Sequence, residues 1–223
     1  MNPDDHPLAG LHDRFAVASA GFASRLRLVR PGQWSSPTPC SEWDVRQLAN
    51  HMTRGNLNYA LLVQGGSGAE FLRLRDVDAL SGDPPGSYAA SVRTCAAAFG
   101  APGALERVVD YPLGAVTGRQ ALAIRIADAV IHTWDLARAT GAGDRLDAGL
   151  VEWIGANLAE IYAGLPETPV APRTSHRFFA APEEAPGGAS RQDRLLHLMG
   201  RTTAWSPPRS GSAEHSAAGI RAT

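Results

Sequence analysis

The 223-residue chain contains no lysine, so arginine supplies all 21 of its basic side chains. Without a lysine amine, the protein cannot carry out lysine-based Schiff-base chemistry, including that of pyridoxal phosphate enzymes. It also lacks the lysine that binds phosphate in a P-loop. The composition therefore excludes these classes of site before any motif is considered.

Cysteine is almost as scarce. Cys40 and Cys95 are the only two in the chain. They do not make a disulfide framework, and they lie too far apart in sequence to form a CxxC metal or redox motif. We expect both to be reduced thiols.

The sequence also lacks long apolar runs and an excess of either charge. No apolar stretch approaches the roughly 18 residues that a membrane span needs, and the acidic start "MNPDDHPLAG" is unlike a secretory signal. The formal net charge is −1 and the arginines are scattered, which is not the pattern of a polyanion-binding surface. These features predict a cytoplasmic protein with a small-molecule substrate and with no membrane or nucleic-acid partner.

The sequence is instead rich in helix-forming segments with apolar residues at helical spacing. Ser41 is the predicted N-cap of the second helix, with Asp44 three residues later in a capping box. Gly141 is the predicted stop of the best-defined helix. The predicted helices cover residues 8–29, 41–63, 87–100, 118–141 and 146–165.

Strand signals are almost absent. In "LERVVDYPLGAVTG", residues 105–118, Pro112 and Gly114 interrupt a short β-like run, which favours an extended connection over a sheet strand. The long helices and the irregular crossover between them predict an all-α fold, a four-helix bundle.

The C-terminal part is predicted to add only a short segment to this bundle. Residues 191–200 should form a short docking helix, whereas the last residues are small, polar and aperiodic. We therefore assign residues 1–205 to one metal-binding helix-bundle domain and residues 206–223 to a disordered tail.

Three side chains stand out as candidate metal ligands. Asp128 and His132 lie four residues apart, which places a carboxylate and an imidazole on one face of the best-defined helix. His51, next to the apolar stripe of the second helix, would complete a set of three ligands. Bundle cores hold metals with inward side chains from facing helices, and three protein ligands leave a position open for water or substrate.

Other interpretations of these residues stay open. A pair of Asp and His at this spacing is common on solvated helix faces, and His51 taken alone would be a core histidine. Asp135 either orients the imidazole of His132 or pairs with an arginine such as Arg138. The tryptophans Trp43 and Trp134 either line a pocket or anchor the core, and the remaining histidines have no partner at ligand spacing.

Three segments carry a resemblance to a known family. The chain resembles the DinB-like, mycothiol-dependent maleylpyruvate isomerase N-terminal domain superfamily, and within it the single-domain metal-binding branch. Its two signature motifs are similar to "TPCSEWDVRQLANHM" at 38–52 and "DAVIHTWDLARATG" at 128–141. Its C-terminal segment is similar to "RQDRLLHLMGRTTAW" at 191–205.

The resemblance implies a DinB-like four-helix bundle that binds a divalent metal, zinc or nickel, through His51, Asp128 and His132. Many relatives have glutamate where this chain has Asp128, a difference that bears on the metal preference. Several members use a low-molecular-weight thiol, mycothiol or bacillithiol. The resemblance is compatible with a homodimer, and the sequence leaves the oligomeric state open.

The resemblance also limits the expected reaction. The maleylpyruvate isomerase of this superfamily has a second, C-terminal domain that helps to hold its dicarboxylate substrate, and the residues after 166 are too few to supply one. We therefore expect a metal-dependent enzyme that activates a mycothiol-type thiol for S-transfer or isomerisation of another small electrophile. The alternatives are a cyclase, lyase or isomerase of specialised metabolism that uses no thiol, and a non-catalytic metal- or ligand-binding module.

Overall fold

The computed structural model describes residues 6–41, 43–166 and 181–207, and these are mostly helical. The predicted tail, apart from residues 206–207, lies outside the described residues. The helices are α1 Leu11–Leu26, α2 Val45–Val63, α3 Gly68–Leu74, α4 Pro84–Phe99, α5 Gly118–Thr140, α6 Ala148–Ile161 and α7 Arg191–Leu198. The strands are β1 Val108–Tyr111 and β2 Gly114–Thr117.

The long helix α5 lies at the centre of the fold. It packs against α1, α2 and α6, and α4 in turn packs against α1 and α2. The apolar residues that predicted this helix, among them Ile124, Ile131 and Leu136, are buried, and so are most of the other residues around its circumference. Gly141 ends the helix with a φ of 71°, a left-handed conformation that glycine adopts without a Cβ penalty. The predicted stop is therefore confirmed.

Helix α2 begins later than predicted, and the predicted N-cap was wrong. Asp44, not Ser41, caps the helix, because its Oδ1 accepts a 2.8 Å hydrogen bond from the backbone N–H of Gln47. The Gln47 side chain accepts from the N–H of Asp44 in return, which completes a capping box. Asp44 also pairs with Pro37 in an isolated antiparallel bridge, and its own backbone is extended, with a φ of −76° and a ψ of 176°.

Residues 105–118 contain a β-hairpin, so the prediction of an extended connection without sheet structure was wrong. Strands β1 and β2 pair antiparallel, with Tyr111 opposite Gly114 at the turn. Pro112 lies in the two-residue loop, where it has no ladder hydrogen bond to lose, and Gly114 follows with a φ of 135°. The two residues that argued against a strand are therefore the residues that build the turn.

The C-terminal segment docks as predicted. Helix α7 packs against α6, and its first residue follows the N-cap Ser190. The chain then turns through Gly200 and carries Arg201 into the interior, where only 8 % of the residue is exposed. Helix α3, in a stretch for which the sequence predicted no element, packs against α2 and β1. None of the helices in the described part of the chain is long and apolar enough to cross a membrane.

Candidate metal centre

The three predicted ligands meet between α2 and α5. One ligand atom from each of His51, Asp128 and His132 lies within 4.8 Å of the other two. The Nε2 atom of His132 is 3.2 Å from Asp128 Oδ1, and the Nε2 atom of His51 is 3.4 Å from Asp128 Oδ2. Helix geometry places His132 one turn after Asp128, and the packing of α2 on α5 brings in His51.

The His51 ring presents an unshared nitrogen to this cluster. Trp43 stacks on the ring, with the two centroids 4.2 Å apart and the planes inclined by 26°. Burial lowers the pKa of His51 to about 4, and the opposing effect of Asp128 is smaller. Its Nε2 atom is buried and makes no hydrogen bond within the described part of the chain. A neutral imidazole whose buried Nε2 makes no hydrogen bond is a suitable metal ligand.

Asp135 orients the His132 ring from its other side. Oδ2 of Asp135 lies 2.8 Å from His132 Nδ1, so a proton on that nitrogen is directed at the carboxylate, and Nε2 faces Asp128. Although burial alone lowers the pKa of His132, Asp128 and Asp135 raise it above its ordinary value. The other interpretation of Asp135, a pair with an arginine, also holds, but the partner is Arg201 and not Arg138, which pairs with Asp144 at 3.1 Å.

Arg201 completes the support behind the site. Its Nη2 and Nε atoms donate to Asp135 at 2.8 and 3.0 Å. Burial raises the pKa of Asp135, but Arg201 and His132 outweigh this effect and lower it. A chain of contacts therefore runs from Arg201 through Asp135 to His132.

Asp128 also has a cationic neighbour, Arg125, whose Nη1 donates a hydrogen bond to Asp128 Oδ2. Burial raises the pKa of Asp128, but His132 and His51 have the larger combined effect and hold it well below its usual range. The carboxylate is therefore ionised at neutral pH. Arg125 precedes Asp128 by three residues, a spacing that the sequence displays although we did not predict the contact.

The donor set fits a divalent cation. Two imidazole nitrogens and one carboxylate form a three-ligand set, and Asp135 holds one ring in the orientation that ligation needs. No further histidine, cysteine or carboxylate joins the cluster among the residues described. An ion bound here would keep a coordination position open toward the adjacent cavity.

That cavity has a volume of about 370 Å³ and mixes aromatic with charged walls. Trp43 lines it, whereas Trp134 is buried in the core with 2 % exposure, so the two tryptophans have different roles. Sequence periodicity did not indicate the rest of the wall, because these residues come from separate elements. They include Cys40, Tyr59, Phe71, Arg75, Tyr111, Tyr162 and Arg201.

A comparison with protein-family models places these observations in a known group. Residues 15–137 match the model of the mycothiol maleylpyruvate isomerase N-terminal domain. The chain belongs to this family. The match spans α1 to α5 almost entirely and includes the three clustered residues, and it confirms the resemblance seen in the sequence.

Full-length relatives and solved structures agree with this membership. Two uncharacterized proteins from two strains of Mycobacterium tuberculosis are each 33% identical over 193 residues, which cover 83% of this chain and 94% of each relative. Crystal structures of a mycothiol-dependent maleylpyruvate isomerase and of its histidine-to-alanine variant give TM-scores of 0.54 and 0.56. Both are 15% identical and cover 71% of this chain and 72% of theirs, so they show the shared fold of the family.

Proposed function

We propose that this family member is a divalent-metal-dependent enzyme in which His51, Asp128 and His132 hold zinc or nickel. The observation that carries the proposal is the meeting of three ligand atoms within 4.8 Å beside a cavity. We further propose that α1, α2, α4 and α5 are the four helices of a DinB-like bundle that supports this centre.

We propose that the second reactant is a low-molecular-weight thiol of the mycothiol type, used for S-transfer to a small electrophile or for its isomerisation. The family, and the mycothiol-dependent isomerase whose structure is similar, support the thiol. A divalent ion in the open site would bind the thiol sulfur and lower its pKa, giving a thiolate nucleophile at neutral pH.

The protein's own residues prepare the site for this chemistry. His51 offers a neutral imidazole nitrogen, a bound divalent ion would displace the proton from His132 Nε2, and Asp135, 2.8 Å from His132 Nδ1, holds that ring in place. Trp43 covers one face of His51 and keeps water from it. The cavity of about 370 Å³ lies within the range of roughly 300–1,000 Å³ that small-molecule sites occupy.

The number of ligands favours an enzyme over a non-catalytic metal-binding module. A closed structural site would need a fourth protein ligand, and none joins the cluster in the described ranges.

The aromatic side chains of Tyr59, Phe71 and Tyr111 in the cavity wall favour a second candidate function. That candidate is a cyclase, lyase or isomerase that uses the apolar part of the cavity and the metal without a thiol.

The first experiment measures the metal content of the purified protein by elemental mass spectrometry. We expect near-stoichiometric metal in the wild type and its loss in folded His51→Ala and His132→Ala. His12→Ala, an exposed histidine on α1, is the matched control and should keep the metal. A folded wild type that takes up no metal even on reconstitution would contradict the proposal.

A second experiment separates the two candidate reactions. Cobalt(II) replaces the native ion, and mycothiol is added while the visible and near-ultraviolet spectrum is recorded. A new sulfur-to-cobalt charge-transfer band in the wild type would support the thiol-dependent enzyme. An unchanged spectrum in a cobalt-loaded protein would favour the thiol-independent candidate.

A further inference from the structure

Arg125 is a buried cation in contact with one of the proposed ligands. Only 1 % of the residue is exposed, and its Nη1 donates to Asp128 Oδ2. The other carboxylate oxygen, Oδ1, faces His132 Nε2 at 3.2 Å. The two oxygens of Asp128 therefore have different surroundings: Oδ2 accepts the guanidinium hydrogen bond and also lies 3.4 Å from His51 Nε2, whereas Oδ1 accepts no hydrogen bond from Arg125 and is directed at His132.

The guanidinium is held firmly in this position. Its Nε donates to Asn56 Oδ1 at 2.8 Å, and its Nη2 donates to the backbone carbonyl of Met52 at 2.7 Å. Gly55 leaves the space that it needs, because a Cβ there would lie 2.8 Å from Arg125 Nη1. Both acceptors lie on α2, the helix of His51, so Arg125 ties together the two helices that carry the ligands.

We propose that Arg125 is a positioning residue of the metal centre, which holds Asp128 as a ligand through Oδ1 alone and limits the affinity of the site for divalent cations. This inference rests on the proposed metal function. A carboxylate with both oxygens free can ligate in a bidentate manner. The hydrogen bond from Arg125 opposes that mode, since the same oxygen cannot turn fully toward a metal ion.

The charge of Arg125 acts in the same direction. A fixed positive charge in a buried setting repels a divalent cation at the neighbouring carboxylate. Removal of the Arg125 guanidinium also frees the short side chain of Asp128 to move, and the rotamer entropy that Asp128 then loses on binding a metal weakens that binding slightly. The electrostatic effect is the larger of the two, because repulsion between charges in a low-dielectric interior exceeds the ordering cost of a single carboxylate.

The test compares Arg125→Met, which removes the charge at similar volume, with Arg125→Lys, which keeps the charge but loses the fork of donors. Arg138→Met is the matched control, an arginine of the same helix that pairs with Asp144. Zinc affinity is measured by competition with a chromophoric chelator, and coordination number by the visible absorption of the cobalt(II) proteins.

We expect Arg125→Met to bind zinc about tenfold more tightly than the wild type, with the weaker visible absorption of five-coordinate cobalt. Arg125→Lys should keep the wild-type affinity within about threefold but shift its spectrum toward five-coordination. Arg138→Met should match the wild type in both measurements.

Several results would overturn the inference. One is an Arg125→Met variant with the zinc affinity and the cobalt spectrum of the wild type. Another is an Arg125→Met variant that binds zinc more weakly than the wild type. If Arg125→Met fails to fold, a cobalt spectrum of Arg125→Lys that is identical to the wild type overturns it. A folded wild type without metal would overturn the metal function and this inference together, whereas metal binding that is indifferent to Arg125 would overturn this inference alone.

Discussion

His132 and Asp135 form a buried contact of 2.8 Å between Nδ1 and Oδ2 on neighbouring turns of α5. A proton on Nδ1 is directed at Asp135, and the other ring nitrogen faces Asp128 at 3.2 Å. The protein itself therefore holds the ring in this orientation, because the supporting carboxylate is held in turn by Arg201 from the C-terminal segment.

Removal of the Asp135 charge should weaken metal binding. We expect Asp135→Asn to lower zinc affinity by roughly 10- to 100-fold, because the neutral amide no longer enforces the ring orientation and basicity of His132. Chelator competition measures the change. Asp144→Asn, in the less buried pair with Arg138, is the control and should leave the affinity unchanged. A folded Asp135→Asn protein with wild-type affinity would contradict the role given to Asp135.

Loss of Arg201 should destabilise the fold. Arg201→Met leaves the fully buried Asp135 carboxylate without its main cationic partner, and we expect a loss of about 3 kcal/mol in the free energy of unfolding. Urea denaturation at pH 7 measures it. Arg191→Met, which breaks an exposed pair with Glu152, should cost at most about 1 kcal/mol.

The effect of Arg201→Met should also depend on pH. Because the pKa of Asp135 is lower in the folded than in the unfolded protein, the ion pair contributes its full stabilisation above the unfolded pKa of about 4. That contribution is lost as the pH falls through the lower, folded pKa. The unfolding free energies of wild type and variant should therefore approach each other in acid, and a constant difference down to pH 3 would argue against the pair.

Two glycine substitutions should act in opposite directions. A Cβ at Gly118, the first residue of α5, would lie 2.0 Å from the backbone oxygen of Ala104, so Gly118→Ala must displace main chain. We expect it to lower the free energy of unfolding by about 3 kcal/mol. Gly155 on α6 has nothing within 4 Å of such a Cβ, and Gly155→Ala should raise stability by roughly 0.5–1 kcal/mol. Equal effects of the two in thermal unfolding would contradict this packing.

The two cysteines should differ in reactivity. Neither is in a disulfide, and burial raises the pKa of the Cys95 thiol to about 12, which leaves almost no thiolate at pH 8. Cys40 lies in the cavity wall. We expect iodoacetamide to modify one thiol in the native protein and both after denaturation, as counted by mass spectrometry. Native Cys40→Ser should remain unmodified, and rapid labelling of Cys95 would contradict its burial.

The sequence predicted the helices well where apolar periodicity and end signals agreed. Helix α5 is the clearest example, with its buried stripe and its stop at Gly141. The predictions that were wrong concern residue types that occur in two kinds of local structure. Pro112 and Gly114 indicated a break, yet they occupy the turn of a hairpin, and Ser41 and Asp44 are both good N-caps. Asp44, which caps the helix, also pairs with Pro37, and local helix-end signals do not indicate that contact.

By itself, the sequence determined that Asp128 and His132 share a face, because four residues make one helical turn whatever surrounds the helix. The same geometry places Arg125 about one turn before Asp128 and Asp135 about one turn after His132. Only the tertiary structure decided that His51 on α2 and Arg201 after α7 meet this face, and that Tyr111 at the hairpin turn enters the cavity wall. These contacts depend on how separate elements bury their apolar surfaces against one another, and periodicity within each element does not specify that packing.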